Sequence, residues 1–236
     1  MNFEELISRI TPRELAGMID HTLLKPDADY KALEKYVNDT REYGFKLLMI
    51  PLSLMERLRE IAGRSIEVGA VVGFPLGNTS TRSKVHEAVE AVELGVREVD
   101  MVMNINAFKS RDYEYVKRDI ASVVEAAKSR GVSAVKVIIE TGLLTDEEKV
   151  KAVELIVEAG GDYVKTCTGF LGSVATVHDT SLLYRASRGR IKVKASGGIR
   201  HALDALALIF AGASRIGTSS GDKILEEFMR LRGEYK

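Results

Sequence analysis

Short apolar runs alternate with longer amphipathic ones along the whole chain. Eight of the short runs read as strands: 17–22, 46–50, 68–74, 98–104, 134–140, 163–166, 191–194 and 214–217. The stretches between them carry helical periodicity. Within 83–94, Val85, Val89 and Val92 recur on one face. Thr145 followed by Glu148 is a capping box that opens a helix over 146–159. Gly44, Gly95, Gly131, Gly160 and Gly212 stand where helices end just ahead of strands. Strict strand–helix alternation implies parallel strands joined by crossover helices. Eight such units predict a closed (β/α)8 TIM barrel, with residues 1–12 as an extra N-terminal helix. A doubly wound open sheet is the second architecture, but its usual dinucleotide fingerprint after the first strand is missing.

The chain has 236 residues, which suits one compact barrel domain over residues 1–236. Linkers, low-complexity tracts and shifts in composition are not evident. Lys plus Arg and Asp plus Glu each number 34, giving a net charge of zero. That balance argues against a general nucleic-acid or membrane binder. The single cysteine, Cys167, cannot form an intrachain disulfide or a multi-thiolate metal site. With a polar, acidic start and no apolar stretch of bilayer length, the composition points to a reducing cytoplasm. Gln and Trp are absent and charged residues make up 29%, a leaning towards a heat-adapted source.

Two lysines stand where a predicted strand meets a glycine-rich loop, the end of a parallel barrel where active sites form. Lys165 is followed by Thr166-Cys167-Thr168-Gly169, and Lys194 by Ala195-Ser196-Gly197-Gly198-Ile199-Arg200. Alternation aims both lysines into the barrel from neighbouring strands. Two unit charges about 4 Å apart repel by about 4 kcal/mol at an effective dielectric of about 20. That repulsion alone would bring a lysine down to a pKa of about 7, the condition for an amine nucleophile towards carbonyls. Asp100 and Asn104 are expected on the inward face of the fourth strand, with Lys194 as the partner of Asp100. Lys136 and Lys192 are read as structural. The loops holding Gly197, Gly198 and Gly217-Thr218-Ser219-Ser220-Gly221, completed by Arg200, predict a phosphate cradle. His21 is expected to shape the mouth, and His86, His178 and His201 to be solvated or capping. No spacing of His, Cys and acids suggests zinc. Cys167 reads as a small packing residue.

Seven ordered segments, at 19–26, 71–77, 98–104, 136–141, 164–170, 193–200 and 215–220, resemble the deoxyribose-phosphate aldolase family of class I aldolases. The resemblance implies a Schiff-base lysine at Lys165, a second lysine at Lys194 and a catalytic acid at Asp100. It also implies phosphate or substrate contacts at Thr166, Thr168, Gly169, Gly197, Gly198, Arg200, Gly217, Ser219 and Ser220. The implied reaction is reversible cleavage of 2-deoxy-D-ribose 5-phosphate to acetaldehyde and D-glyceraldehyde 3-phosphate, without metal or organic cofactor, in a homo-oligomer, dimeric or tetrameric. Cys167 replaces the family's frequent Ser, and His201 stands where Thr is expected. In some members of that family a C-terminal tail ending in Tyr reaches the active site; here Tyr235 is penultimate, and no role is assigned to it. A phosphosugar isomerase and a non-catalytic sugar-phosphate-binding barrel are the competing readings.

Overall fold

The computed structural model describes residues 3–234. Its eight strands are β1 (Ile19–Thr22), β2 (Leu47–Ile50), β3 (Val68–Val72), β4 (Glu98–Val102), β5 (Ala134–Ile138), β6 (Tyr163–Lys165), β7 (Lys192–Ser196) and β8 (Arg215–Thr218). All pair in parallel in sequence order, and β1 pairs with β8 to close the barrel. The helices are α1 (Phe3–Arg9), α2 (Pro12–Ala16), α3 (Tyr30–Tyr43), α4 (Met55–Ala62), α5 (Thr81–Glu93), α6 (Ile105–Lys109), α7 (Tyr113–Lys128), α8 (Asp146–Glu158), α9 (Val177–Ser187), α10 (Ala202–Phe210) and α11 (Gly221–Leu231). The main core lies between strands and helices, where Leu33, Val99, Val123, Val137 and Ile156 are fully buried.

The local signals explain most boundaries. Thr145 and Glu148 form the expected reciprocal capping box on α8. The five helix-ending glycines all adopt positive φ, which side-chain-bearing residues rarely do. The extra N-terminal helix is instead two, α1 and α2. Pro12 cannot extend a helix from residue 11, and Thr11 starts a new one with its own capping box. The third, fourth and fifth strands end two residues earlier than the apolar runs suggest. Gly73 turns with φ 62 and Glu140 with φ 53. Asn104 is not an inward strand residue, since its side chain accepts from the Ala107 N–H as the N-cap of α6. β7 runs on to Ser196, past the predicted end at Lys194.

The barrel interior is divided by chemistry. On the β2–β3 side it is apolar, with Leu47, Met49 and Val71 packed together. Gly69 makes room there, since a Cβ on it would lie 2.5 Å from the Met49 Cε. The remaining strands turn charged side chains inward: Asp20, Glu98, Asp100, Lys136, Lys165, Lys194 and Arg215 are all buried. Buried charges must be paired and hydrogen-bonded to be tolerated, and this half of the barrel holds the candidate site.

Candidate active site

Lys165 and Lys194 are register partners on β6 and β7. Both donate to the same carboxylate oxygen, each Nζ lying 2.7 Å from Asp100 Oδ2. The other oxygen, Oδ1, accepts from Lys136 at 2.8 Å. Asp100 thus bridges three lysines from β5, β6 and β7. Lys194 also donates to Asp20 Oδ2, and Lys136 lies 2.7 Å from Glu98 Oε2. Arg215 reaches Asp20 Oδ1 at 2.7 Å and Glu98 Oε2 at 3.0 Å. The inward lysines and Asp100 stand together as their alternation predicts. Lys136 is ion-paired, in keeping with a structural part. Lys192 is exposed at the opposite end of the barrel, its Nζ 5.7 Å from the Tyr163 ring centroid.

These neighbours act unequally on the titration of each group. Burial raises the Asp100 carboxyl, but Lys136, Lys165 and Lys194 more than offset this and hold it well below its ordinary range. The Lys165 amine is lowered to about 8. The largest cause is its burial; Asp100 opposes the shift, and Lys194 and then Lys136 reinforce it. Repulsion by Lys194 is therefore a contributor and not the main cause that the sequence argument made it. Lys136, by contrast, is raised: its burial is outweighed by Asp100, Asp20 and Glu98.

Lys165 opens into a cavity of about 290 Å³ at the C-terminal mouth. Thr168, Gly169, Gly197, Gly198, Arg200, Gly217 and Ser219 line it, as predicted. Asp100 and Lys194 are fully buried and lie beneath this lining. Gly169, Gly197 and Gly198 have φ of 82, 100 and 76. A Cβ on Gly198 would lie 2.7 Å from Val174 Cγ1, so both conformation and space demand glycine. Among the described residues, no acceptor takes the N–H of Gly197, Gly198 or Ser219. These donors and the Arg200 side chain suit an anionic ligand group.

Two predicted contacts do not reach the cavity. The Thr166 hydroxyl donates to the Ser196 carbonyl at 2.8 Å and accepts from its N–H at 3.0 Å. It ties β6 to β7 because a residue following inward Lys165 must point outward. Ser220 precedes α11, and its N–H bonds Thr218 Oγ1 at 3.0 Å. His21 does not shape the mouth either. It is fully buried, stacked on Tyr36 with ring centroids 4.2 Å apart, while its neighbour Asp20 faces inward. Burial lowers His21 to about 4. Cys167 is buried 3.3 Å from Thr141 Oγ1, and burial raises its thiol. His178 is exposed on α9 and His201 precedes α10, each paired with a carboxylate. Asp146, His178 and Asp179 gather their ligand atoms within 4.8 Å, a cluster that spacing did not reveal. The Lys149 ammonium already bonds both carboxylates, at 3.0 and 2.7 Å. Tyr235 lies outside the described residues.

Sequence reasoning missed Asp20, Glu98 and Arg215 as members of the charged cluster, and Thr22, Leu24, Lys25, Phe170 and Ser196 as cavity walls. Alternation would have turned Asp20 inward with Thr22, but only the β1–β8 closure places it against Lys194. A larger cavity of about 570 Å³ lies at the N-terminal mouth, lined by Glu98, Tyr163, Lys192 and Arg215 among others. Lys165 and the glycine loops are at the smaller one, which is therefore the candidate site.

No helix among the described residues is long and apolar enough to cross a membrane. The model of the DeoC/LacD family of aldolases matches residues 15–227. The deoxyribose-phosphate aldolase of Thermoanaerobacter sp. (strain X514) is 52% identical over 219 residues, covering 92% of this chain and 98% of that relative. That of Enterococcus faecalis (strain ATCC 700802 / V583) is 49% identical over 213 residues, covering 90% and 96%. A solved tetrameric deoxyribose-phosphate aldolase from Aeropyrum pernix superposes with a TM-score of 0.89 at 34% identity, covering 97% of each chain.

Proposed function

The chain belongs to the DeoC/LacD family of aldolases, and from that membership we propose how its site cleaves 2-deoxy-D-ribose 5-phosphate into acetaldehyde and D-glyceraldehyde 3-phosphate. The observation that carries the mechanism is Lys165: a buried amine, brought down to about 8, that opens into the glycine-rimmed cavity. Its neutral form attacks C1 of the open-chain sugar, and loss of water gives an imine. The protonated imine withdraws electrons as the C2–C3 bond breaks and the C3 hydroxyl gives up its proton. D-glyceraldehyde 3-phosphate leaves and an enamine remains on Lys165. Protonation at C2 and hydrolysis then release acetaldehyde and regenerate the amine.

Asp100 and Lys194, directly beneath Lys165, move protons with a water and keep the amine poised. The backbone around Gly169, Gly197, Gly198 and Ser219, with Gly217, Arg200 and Thr168, holds the phosphate end and so orients C1 towards Nζ. Thr166 and Ser220 act behind this wall, not on substrate. The reading calls for no metal or organic cofactor. It treats residues 1–236 as one aldolase unit in a cytoplasmic homo-oligomer from a heat-adapted source. The tetrameric relative supports a dimer or tetramer.

Acetaldehyde and borohydride, followed by peptide mass mapping, test the imine. An ethyl group is expected on Lys165. Unlabelled Lys165 in a preparation that still cleaves the phosphosugar would overturn the mechanism.

A further inference from the structure

The buried charges close into a ring. Starting from Lys194, the contacts run to Asp20, Arg215, Glu98, Lys136 and Asp100, and back to Lys194. Cations and anions alternate all the way round, so the ring of six is neutral in itself. Lys165 hangs from it as a seventh member, joined through Asp100 Oδ2. With Lys165 protonated the interior carries one excess positive charge; with Lys165 as a free amine it carries none. Charge placed in a poorly solvated interior is costly unless balanced, so the proton of Lys165 is the one this assembly gives up most readily.

We propose that Arg215 and Glu98, at the far end of the barrel from the substrate cavity, set the charge on the Lys165 amine by completing this neutral ring. Both line the N-terminal cavity and neither lines the cavity that holds Lys165. They are positioning residues that act through Asp20, Lys136 and Asp100. The inference rests on the imine reading for its functional meaning, though not for its electrostatics. The groups facing Lys165 come from several elements: Asp100 on β4, Lys136 on β5 and Lys194 on β7, with Lys25 and Arg200 on the cavity wall. Glu140, after β5, is buried and holds the Thr168 N–H. Arg215 faces Asp20 on β1, Glu98 on β4 and the Tyr163 hydroxyl on β6 at 3.4 Å.

Removing either member of the Arg215–Glu98 pair breaks the same salt bridge, but the two removals leave opposite net charges. Arg215→Met leaves one negative charge in excess, so Lys165 holds its proton to higher pH. Glu98→Gln leaves one more positive charge, so Lys165 releases it at lower pH. Unit charges about 10 Å apart at an effective dielectric of about 20 interact by about one pKa unit, which sets the expected size of each shift.

The test is a direct titration of Lys165 by NMR in lysine-labelled full-length protein, its signal assigned by its loss in Lys165→Met. The midpoint is expected to rise by about one unit in Arg215→Met and to fall by about one unit in Glu98→Gln. It should return to the wild-type value in the double variant and stay close to it in Arg215→Lys. If Arg215→Met does not fold, Glu98→Gln and the double variant carry the same test. Shifts in one direction for both single variants, no shift, or a double variant that does not return would overturn the ring. Borohydride trapping run on the same samples separates the two readings. Absent imine with opposed shifts sinks the aldolase mechanism alone, and intact imine with parallel shifts sinks the ring alone.

Discussion

At the scale of single residues, Lys165 is set by two forces of different reach. Burial acts on it wherever a solvent-poor pocket encloses the amine, and it is the larger cause of the fall to about 8. Lys194 acts through its charge, across one shared carboxylate oxygen. The two separate in Lys194→Met, which keeps the amine enclosed and deletes the charge. Asp100 is then shared by Lys165 and Lys136 only, and its pull on the Lys165 proton strengthens. The acidic limb of the activity-versus-pH profile should move up from about 8 by a unit or more, with at least a tenfold loss at neutral pH. An unmoved limb with uniformly lower turnover would confine Lys194 to proton transfer. The meeting of Lys165, Lys194 and Asp100 was legible because period-two alternation sends all three inward. The weight of burial against repulsion was not, because it depends on how tightly the loops close over Nζ. His21 marks the same limit: the histidine sits next to an inward Asp20, and alternation turns it outward onto Tyr36 and Phe45.

At the scale of elements, loops 196–200 and 217–221 were readable as an anion site from their glycines, but individual contacts were not. Thr166 and Ser220 sit beside the right residues in sequence, but the Thr166 hydroxyl bonds the β7 backbone and the Ser220 N–H is taken by Thr218 Oγ1. Strand ends were over-extended wherever a polar residue that caps or turns, such as Asn104 or Glu140, followed an apolar run. Gly217, next to the end of β8, serves two neighbours at once. It lines the cavity, yet a Cβ on it would lie 2.9 Å from Ser196 Cβ and 3.0 Å from Lys194 Cε. Separations that short force a neighbour to move, and the Lys194 stem is the more mobile of the two. Gly217→Ala should therefore lower kcat more than it raises KM for the phosphosugar, by roughly tenfold or more, since a displacement of about 1 Å at a reacting group can cost about a hundredfold. A rise in KM with kcat intact would instead assign Gly217 to the phosphate alone.

At the scale of the whole molecule, eight strand–helix units and their order were legible because the alternation of periods repeats without interruption, and parallel closure follows from it. What the pattern could not show is that half of the barrel interior is ionic. Asp20 and Arg215 are 195 positions apart in sequence and meet only through the β1–β8 closure. This interior separates stability from function. The ring of six is neutral without Lys165, so the protonated form of Lys165 is a burden on the fold that the reaction requires. The distance between about 8 and the ordinary lysine value of 10.5 corresponds to a cost on the order of 3 kcal/mol. Its sign with pH is fixed: the unfolded chain binds the proton more tightly than the folded one between these two values, so stability rises as pH climbs through that window. The cost is fully present below about 8 and gone above 10.5. Lys165→Met removes it while preserving the shape of the side chain. The variant should be inactive yet melt several degrees higher at pH 7, with the advantage shrinking towards zero by about pH 10.5. Thermal melts at a series of pH values check both the gain and its decay. A lower melting temperature at pH 7 would mean that protonated Lys165 is bound more favourably by Asp100 than water binds it, and the amine would then not be poised for attack.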